Sequence, residues 1–319
     1  MTGEHEGSRV GEDPFSAGRE VADALLYEGY VLYPYRASAP KNTNALRWQF
    51  GVLVPPAYAG EPCAQRTECL LEAPGPCRLS VRLRFLQLQA RTEGDKPAWD
   101  EAVERCVDVE LAFDPSAAAE VVEAFDFGAD ASVDGGVHRE RWNVSGRLAV
   151  RVEPGAADGR AVKLTVVTEN SSLWDPGDAA RHEVVRRSLV AAHTLASVDG
   201  GAFVSSLEPP EWAAAAVDAC QCENTFPVLV GASGARDAVL SSPIIVYDYP
   251  EVAPESPGDF FDSTEIDELL TLRTLTLTDA EKQEARSTDP HAAAIIDRIE
   301  ALGRSEIRRL HGTTRPVPQ

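Results

Sequence analysis

The sequence predicts an α+β fold: an antiparallel, β-rich sheet or sandwich with one long helix and a C-terminal set of short helices. Three observations carry that prediction. Residues 78–91, RLSVRLRFLQLQAR, alternate strictly, with Leu79, Val81, Leu83 and Phe85 on one face and Ser80, Arg82 and Arg84 on the other, the period of a half-buried strand. Similar runs recur at 102–113, 141–152 and 161–169, separated by Gly, Pro and Asp. Strands in such succession pair antiparallel, because parallel neighbours need crossover helices between them. Third, the region after residue 261 holds repeated helix-start signals.

Taken in order, residues 1–20 are polar and without apolar period, and read as a disordered N-terminus. A short helix is expected over 19–28, stopped by Gly29. Two strands are expected at 30–35 and 47–54, around the loop SAPKNTN. The long helix is expected over 179–198: Pro176 stands near its first turn, Val185, Leu189, Ala192 and Ala196 share a face, and Gly200 and Gly201 follow. A smaller helix over 210–219 leads to strands at 226–230 and 243–249. Asp262 with Glu265, and Thr278 with Glu281, fit the capping box, and Asp289-Pro290 fits a further helix start. Three short helices follow, over 265–270, 279–286 and 290–302. The chain thus divides into a β-rich body over 21–260, a helical segment over 261–303 packed on it, and a flexible tail over 304–319.

With 319 residues and 44% hydrophobic side chains, the chain can build a sizeable core without disulfide or metal. Its formal charge of -21 repels nucleic-acid phosphate, so nucleic acid is a poor partner. No apolar run reaches the ~20 residues a membrane-spanning helix needs, and the polar, acidic start lacks the pattern of a secretory signal. The expected location is the cytoplasm, where the six cysteines would stay reduced.

Against this acidity, residues 30–51 carry Arg36, Lys41 and Arg47 among several aromatic residues and no carboxylate. Two readings stand side by side. Either the aromatic side chains pack in the sheet with the cations at its rim, paired with the acidic stretch that begins at Asp248, or Tyr33, Tyr35, Arg36, Lys41 and Trp48 form an exposed binding hot spot, since Tyr, Trp and Arg dominate such centres. Residues 248–268 hold eight carboxylates and no cation, with Phe260 and Phe261 as apolar anchors for a partner. Pairing of the two segments between copies would give a homo-oligomer.

Cys63, Cys69 and Cys77 are expected in a Pro-rich loop, and Cys220 and Cys222 form a C-x-C pair. Zinc and iron-sulfur sites usually begin with C-x2-C, which is absent, so a zinc or iron-sulfur centre on these five is the alternative to unliganded thiols. On the expected helix His182 and His193 would stand about 16 Å apart, too far to share an ion. The hexapeptide ASVDGG occurs at 131–136 and at 196–201, a turn sequence repeated. No nucleophile elbow, Walker loop or dinucleotide fingerprint is present, which removes the usual reasons to propose an enzyme.

The stretch ALLYEGYVLYPYRASAPKN (24–42) with LRWQFGVLVP after it, and the later run from SSPIIVYDYPEV through DAEKQEARSTDP (241–290), resemble a protein family of actinobacteria and related soil bacteria. Its members are encoded among the accessory genes of high-affinity nickel-iron hydrogenases. The resemblance covers both ends of the chain and little of the middle. It implies a non-enzymatic accessory role, with a hydrogenase subunit or maturation factor as partner, and it assigns no catalytic residue.

Overall fold

The computed structural model describes residues 13–42, 47–251 and 267–301. In chain order these form α1 (Arg19–Leu26), β1 (Ala64–Glu72), β2 (Cys77–Glu93), β3 (Trp99–Phe113), β4 (Ala119–Phe127), β5 (Asp130–Asp134), β6 (Val137–Arg141), β7 (Val144–Ala156) and β8 (Ala161–Asn170). There follow α2 (Arg181–Val185), β9 (Val190–Asp199), β10 (Ala202–Phe203), α3 (Ala214–Asp218), β11 (Phe226–Leu229), β12 (Ala238–Ser242), α4 (Asp267–Leu275), α5 (Asp279–Thr288) and α6 (Pro290–Ala301).

Two antiparallel sheets result. One runs β10-β1-β8-β7-β4, and the other runs β11-β12-β9-β2, with β3 along one edge of β2. The alternation seen in residues 78–91 makes β2 the long central strand. Its other edge takes β9 along 78–86 and then β6, with β5 beyond, along 89–93. Leu79, Val81, Leu83 and Phe85 of β2 join Ala192, Ala196 and Val198 of β9 and face Leu148, Val150, Val152, Val162 and Leu164 of the other sheet. This is the sandwich core. Its packing leaves no room at Gly146 in β7, where a Cβ would come within 2.3 Å of the Glu169 carbonyl and 2.4 Å of the Phe125 ring. Gly146→Ala is therefore expected to destabilise the fold by about 1–3 kcal/mol through overpacking; a denaturation midpoint equal to that of the parent would refute the tight approach.

The long helix expected over 179–198 does not form. A five-residue helix, α2, occupies its start, and β9 takes the second half. Ala192, Ala196 and Val198 of β9 point into the sandwich while Leu195 packs under α1, so the strand is apolar on both faces. A doubly buried strand reads as an unbroken apolar run, which periodicity cannot separate from a buried helix.

The strands expected at 30–35 and 47–54 are also absent. This segment lies across the outer face of the second sheet as irregular chain, its aromatic side chains packed over Leu86, Leu88 and Trp99, with Tyr35 and Trp48 in left-handed backbone (φ 62° and 60°). Among its residues Leu53 makes an isolated bridge to Leu189. Among the described residues the last strand is 238–242 and not 243–249, where Pro243 has no N–H for a ladder. The C-terminal short helices form as expected. Thr278 and Glu281 make the reciprocal capping box of α5, while Asp262 and Glu265 lie outside the described residues. None of the described helices is long and apolar enough to cross a membrane.

Candidate functional site

The outer face of the second sheet carries most of the chemistry. The N-terminal segment and α4–α6 cover one half of it, packing Tyr30, Tyr35, Trp48, Val52 and Val54 with Ile295, Ile296 and Ile299 over Leu86, Leu88 and Trp99. At the centre is Arg47. Its side chain is buried, its Nε donates to the Tyr30 carbonyl at 2.8 Å and its Nη2 to the Asp100 carbonyl at 2.9 Å. The guanidinium carbon lies 3.5 Å from the Trp99 ring centre, 4.5 Å from Trp48 and 5.5 Å from Tyr30. Burial pushes the guanidinium down to about 10, so the cation persists at neutral pH and the rings and carbonyls replace its water.

Asp289 fastens the other side. Its carboxylate accepts from the Tyr30 hydroxyl at 2.6 Å and from Trp99 Nε1 at 3.3 Å. It also accepts from the His291 amide at 2.8 Å, the helix-start role its place before Pro290 implies, and lies 2.9 Å from His291 Nδ1. Burial pushes this carboxyl up, but the hydrogen bonds from His291 and Tyr30 outweigh it and hold it below the ordinary aspartate range. At the rim Arg36 pairs with Glu281 at 3.3 Å and Glu284 at 3.6 Å, and the Ala37 amide donates to Thr288. Asn42 pins the segment to itself through Leu32 and Arg36.

The cationic, aromatic segment is thus an internal clasp. Tyr35 and Trp48 are buried in it, so the expected exposed hot spot loses both: their rings satisfy this chain's own core. Tyr33, Arg36 and Lys41 remain half-exposed beside it. The acidic partner that the structure shows for Arg36 is α5 and not the stretch from Asp248; Phe260 and Phe261 lie outside the described residues.

Next to the clasp, between α1 and α6, opens a cleft of about 540 Å³ lined by Phe15, Asp23, Tyr27, Arg84, Glu104 and His291 among others. Arg82, Arg84, Glu104 and Cys106 reach it from the outward positions of β2 and β3. Arg84 bonds Asp23 at 2.6 Å and lies 3.6 Å from Glu104, and Arg82 meets Asp108 through two contacts of 2.7 Å while stacking 4.4 Å over Phe15. Tyr27 is pushed up by burial and by the adjacent Glu104, so its phenol stays protonated. The Cys106 thiol is likewise raised by burial, against the pull of Arg84 and Arg82, and stays a thiol at neutral pH. His193 stands opposite Arg84 in the sheet, fully buried, with Nδ1 2.9 Å from the Ala191 carbonyl and no partner on Nε2. Burial pushes it down to about 4, so the ring is neutral. The cleft offers paired charges and aromatic faces, the equipment of a binding surface.

The loop expected around Cys69 and Cys77 is strand instead, and Cys220 and Cys222 come near enough to Cys69 to raise its thiol further. Cys69 points into the sandwich core, where burial raises its thiol, and Cys77 begins β2 with its sulfur on the Gly75 carbonyl. Cys63 directly precedes β1. Cys220 and Cys222 lie over the outer side of β1, where Gln221 donates to the buried Glu68 and Cys222 touches the Glu68 backbone; burial raises both thiols. Among the described residues no three His, Cys, Asp or Glu side chains come together to hold a metal ion. His182 and His193 share no helix.

Sequence reasoning did not single out Arg47, Trp99 or Asp289 as one cluster. The signal was the Arg47-Trp48 dipeptide beside a helix-starting Asp289, but only the tertiary fold brings residues 30, 47, 99 and 289 together. No protein-family model matches the chain, and no curated protein matches it either.

Proposed function

We propose that the protein is a non-enzymatic accessory protein that supports assembly or maturation of a nickel-iron hydrogenase by binding one of its subunits or maturation factors. One observation carries this reading. The two stretches that bear the family resemblance, far apart in sequence, meet in the clasp: Tyr30 reaches Asp289, Arg36 reaches Glu281 and Glu284, and Ala37 reaches Thr288. What the resembling stretches build together is a braced surface, with Tyr33, Arg36 and Lys41 at its rim and the charged, aromatic cleft alongside. Rigid aromatic and arginine side chains on such a surface suit protein contact.

The test is purification of the tagged protein from hydrogen-oxidising cells, with mass spectrometry of what remains bound. Hydrogenase subunits or maturation factors should be recovered, and Lys41→Glu, at a half-exposed rim position outside the Arg36–Glu281 and Arg36–Glu284 pairs, should reduce that recovery at least about tenfold while the denaturation midpoint is unchanged. Recovery of the protein without any hydrogenase component would refute the reading. A zinc or iron-sulfur centre on the cysteines has weaker support, because among the described residues no three His, Cys, Asp or Glu side chains come together and burial raises the thiols of Cys69, Cys220 and Cys222. Elemental analysis of chelator-free protein decides it, a stoichiometric metal being the result that would reverse the order.

A further inference from the structure

The repeated hexapeptide ASVDGG leads to a different part of the molecule. Its first copy makes the tip of the β5–β6 hairpin, where Gly135 and Gly136 face open space. Its second copy ends β9 and turns into β10, and there Gly201 is hemmed in: a Cβ would come within 2.8 Å of the Glu72 carbonyl. This close approach brings the β9–β10 turn against the β1–β2 connection at one end of the sandwich. The β7–β8 turn supplies Arg160 and the β11–β12 connection supplies Arg236, so connections from both sheets border an open pocket of about 440 Å³. Loops gathered at one end of a sandwich are a common place for binding, since the sheets hold them rigidly.

The pocket's charge is opposite to the chain's. It is lined by two guanidiniums and one carboxylate, in a protein with a formal charge of -21. Arg236 is fixed in place, its Nε donating to the Phe203 carbonyl at 2.8 Å and its Nη2 to Glu72. Arg160 is held differently, 4.2 Å over the Trp212 ring, and among the described residues no carboxylate pairs with it. Exposed arginines on the strands, such as Arg147 and Arg151, each have a neighbouring carboxylate. A guanidinium stacked on a tryptophan, with no carboxylate pair among the described residues, that lines the same pocket as a second, anchored guanidinium is prepared for an oxyanion.

We propose that this end pocket binds a small soluble ligand through a phosphate or carboxylate group placed between Arg160 and Arg236. Ala73, Pro74 and the Gly200–Gly201 turn would border the rest of the molecule. The volume exceeds that of a bare ion and lies in the range of small-molecule pockets. This inference does not depend on the hydrogenase reading.

Calorimetric titration of the full chain with inorganic phosphate, and separately with acetate, against sodium chloride at matched ionic strength tests it. Saturable binding of either ion above the chloride control is expected, weakening as salt rises. Arg160→Ala should lower that affinity at least about tenfold, and Arg151→Ala on β7 should leave it unchanged. The stronger of the two ions tells whether the group is a phosphate or a carboxylate. Arg160→Gln gives the same readout should the alanine variant fold poorly. Heats no larger than chloride's for both ions, or binding unaltered by loss of Arg160, would overturn the proposal.

Discussion

Replacing Asp289 with alanine is expected to lower global stability by about 3–7 kcal/mol and to expose α5 and α6 to proteolysis. The carboxylate receives the Tyr30 hydroxyl, the Trp99 indole N–H and the His291 amide. Its loss strands two buried donors, at about 1–3 kcal/mol each, and removes a helix-start contact worth about 1 kcal/mol. The same carboxyl gives the pH dependence a definite sign. Its folded-state affinity for the proton is depressed, so its contribution is fully present above the ordinary aspartate value of 3.8 and is lost as pH falls through the lower folded value. The parent should therefore lose stability progressively below about pH 4, and Asp289→Asn, which keeps the size but not the charge, should flatten part of that slope. Chemical denaturation at a series of pH values reads both effects. A cost for Asp289→Ala below about 1 kcal/mol would mean that the hydrophobic contacts of α4–α6 hold the helices without the clasp.

β2, β3, β7, β8 and β11 were legible, while β1, β4, β9 and the clasp were not. Half-buried strands such as β2 and β3 alternate, and alternation is written locally in the sequence. Burial on both faces erases it, which is how β9 read as the second half of a long helix. The segment at 30–54 failed differently. Its aromatic and β-branched residues have strand propensity, but propensity reports fitness for a half-buried surface and not which partner buries it; here the outer face of the sheet and α4–α6 bury these side chains. The helix starts at Thr278 and Asp289 were readable because capping is settled within a few residues. What Asp289 does besides starting a helix depends on Tyr30 and Trp99, and no local pattern records that meeting.

Arg47 should show which force holds the clasp, because its two contributions separate by substitution. Arg47→Ala removes the guanidinium donors from the Tyr30 and Asp100 carbonyls and opens a void among Tyr30, Trp48 and Trp99, for an expected loss of about 4 kcal/mol. Arg47→Met fills most of that void with an unbranched side chain and brings no charge out of water, while still removing both donors. It should cost about 1–2 kcal/mol, less than alanine but more than a neutral exchange. Two results would contradict this division. If methionine is as damaging as alanine, the two hydrogen bonds carry the clasp and ring stacking adds little. If methionine stabilises the fold, burying the guanidinium is a net cost to stability that the rings and carbonyls do not offset, and Arg47 is kept for a reason other than stability, such as fixing how the N-terminal segment sits against α6 beside the cleft.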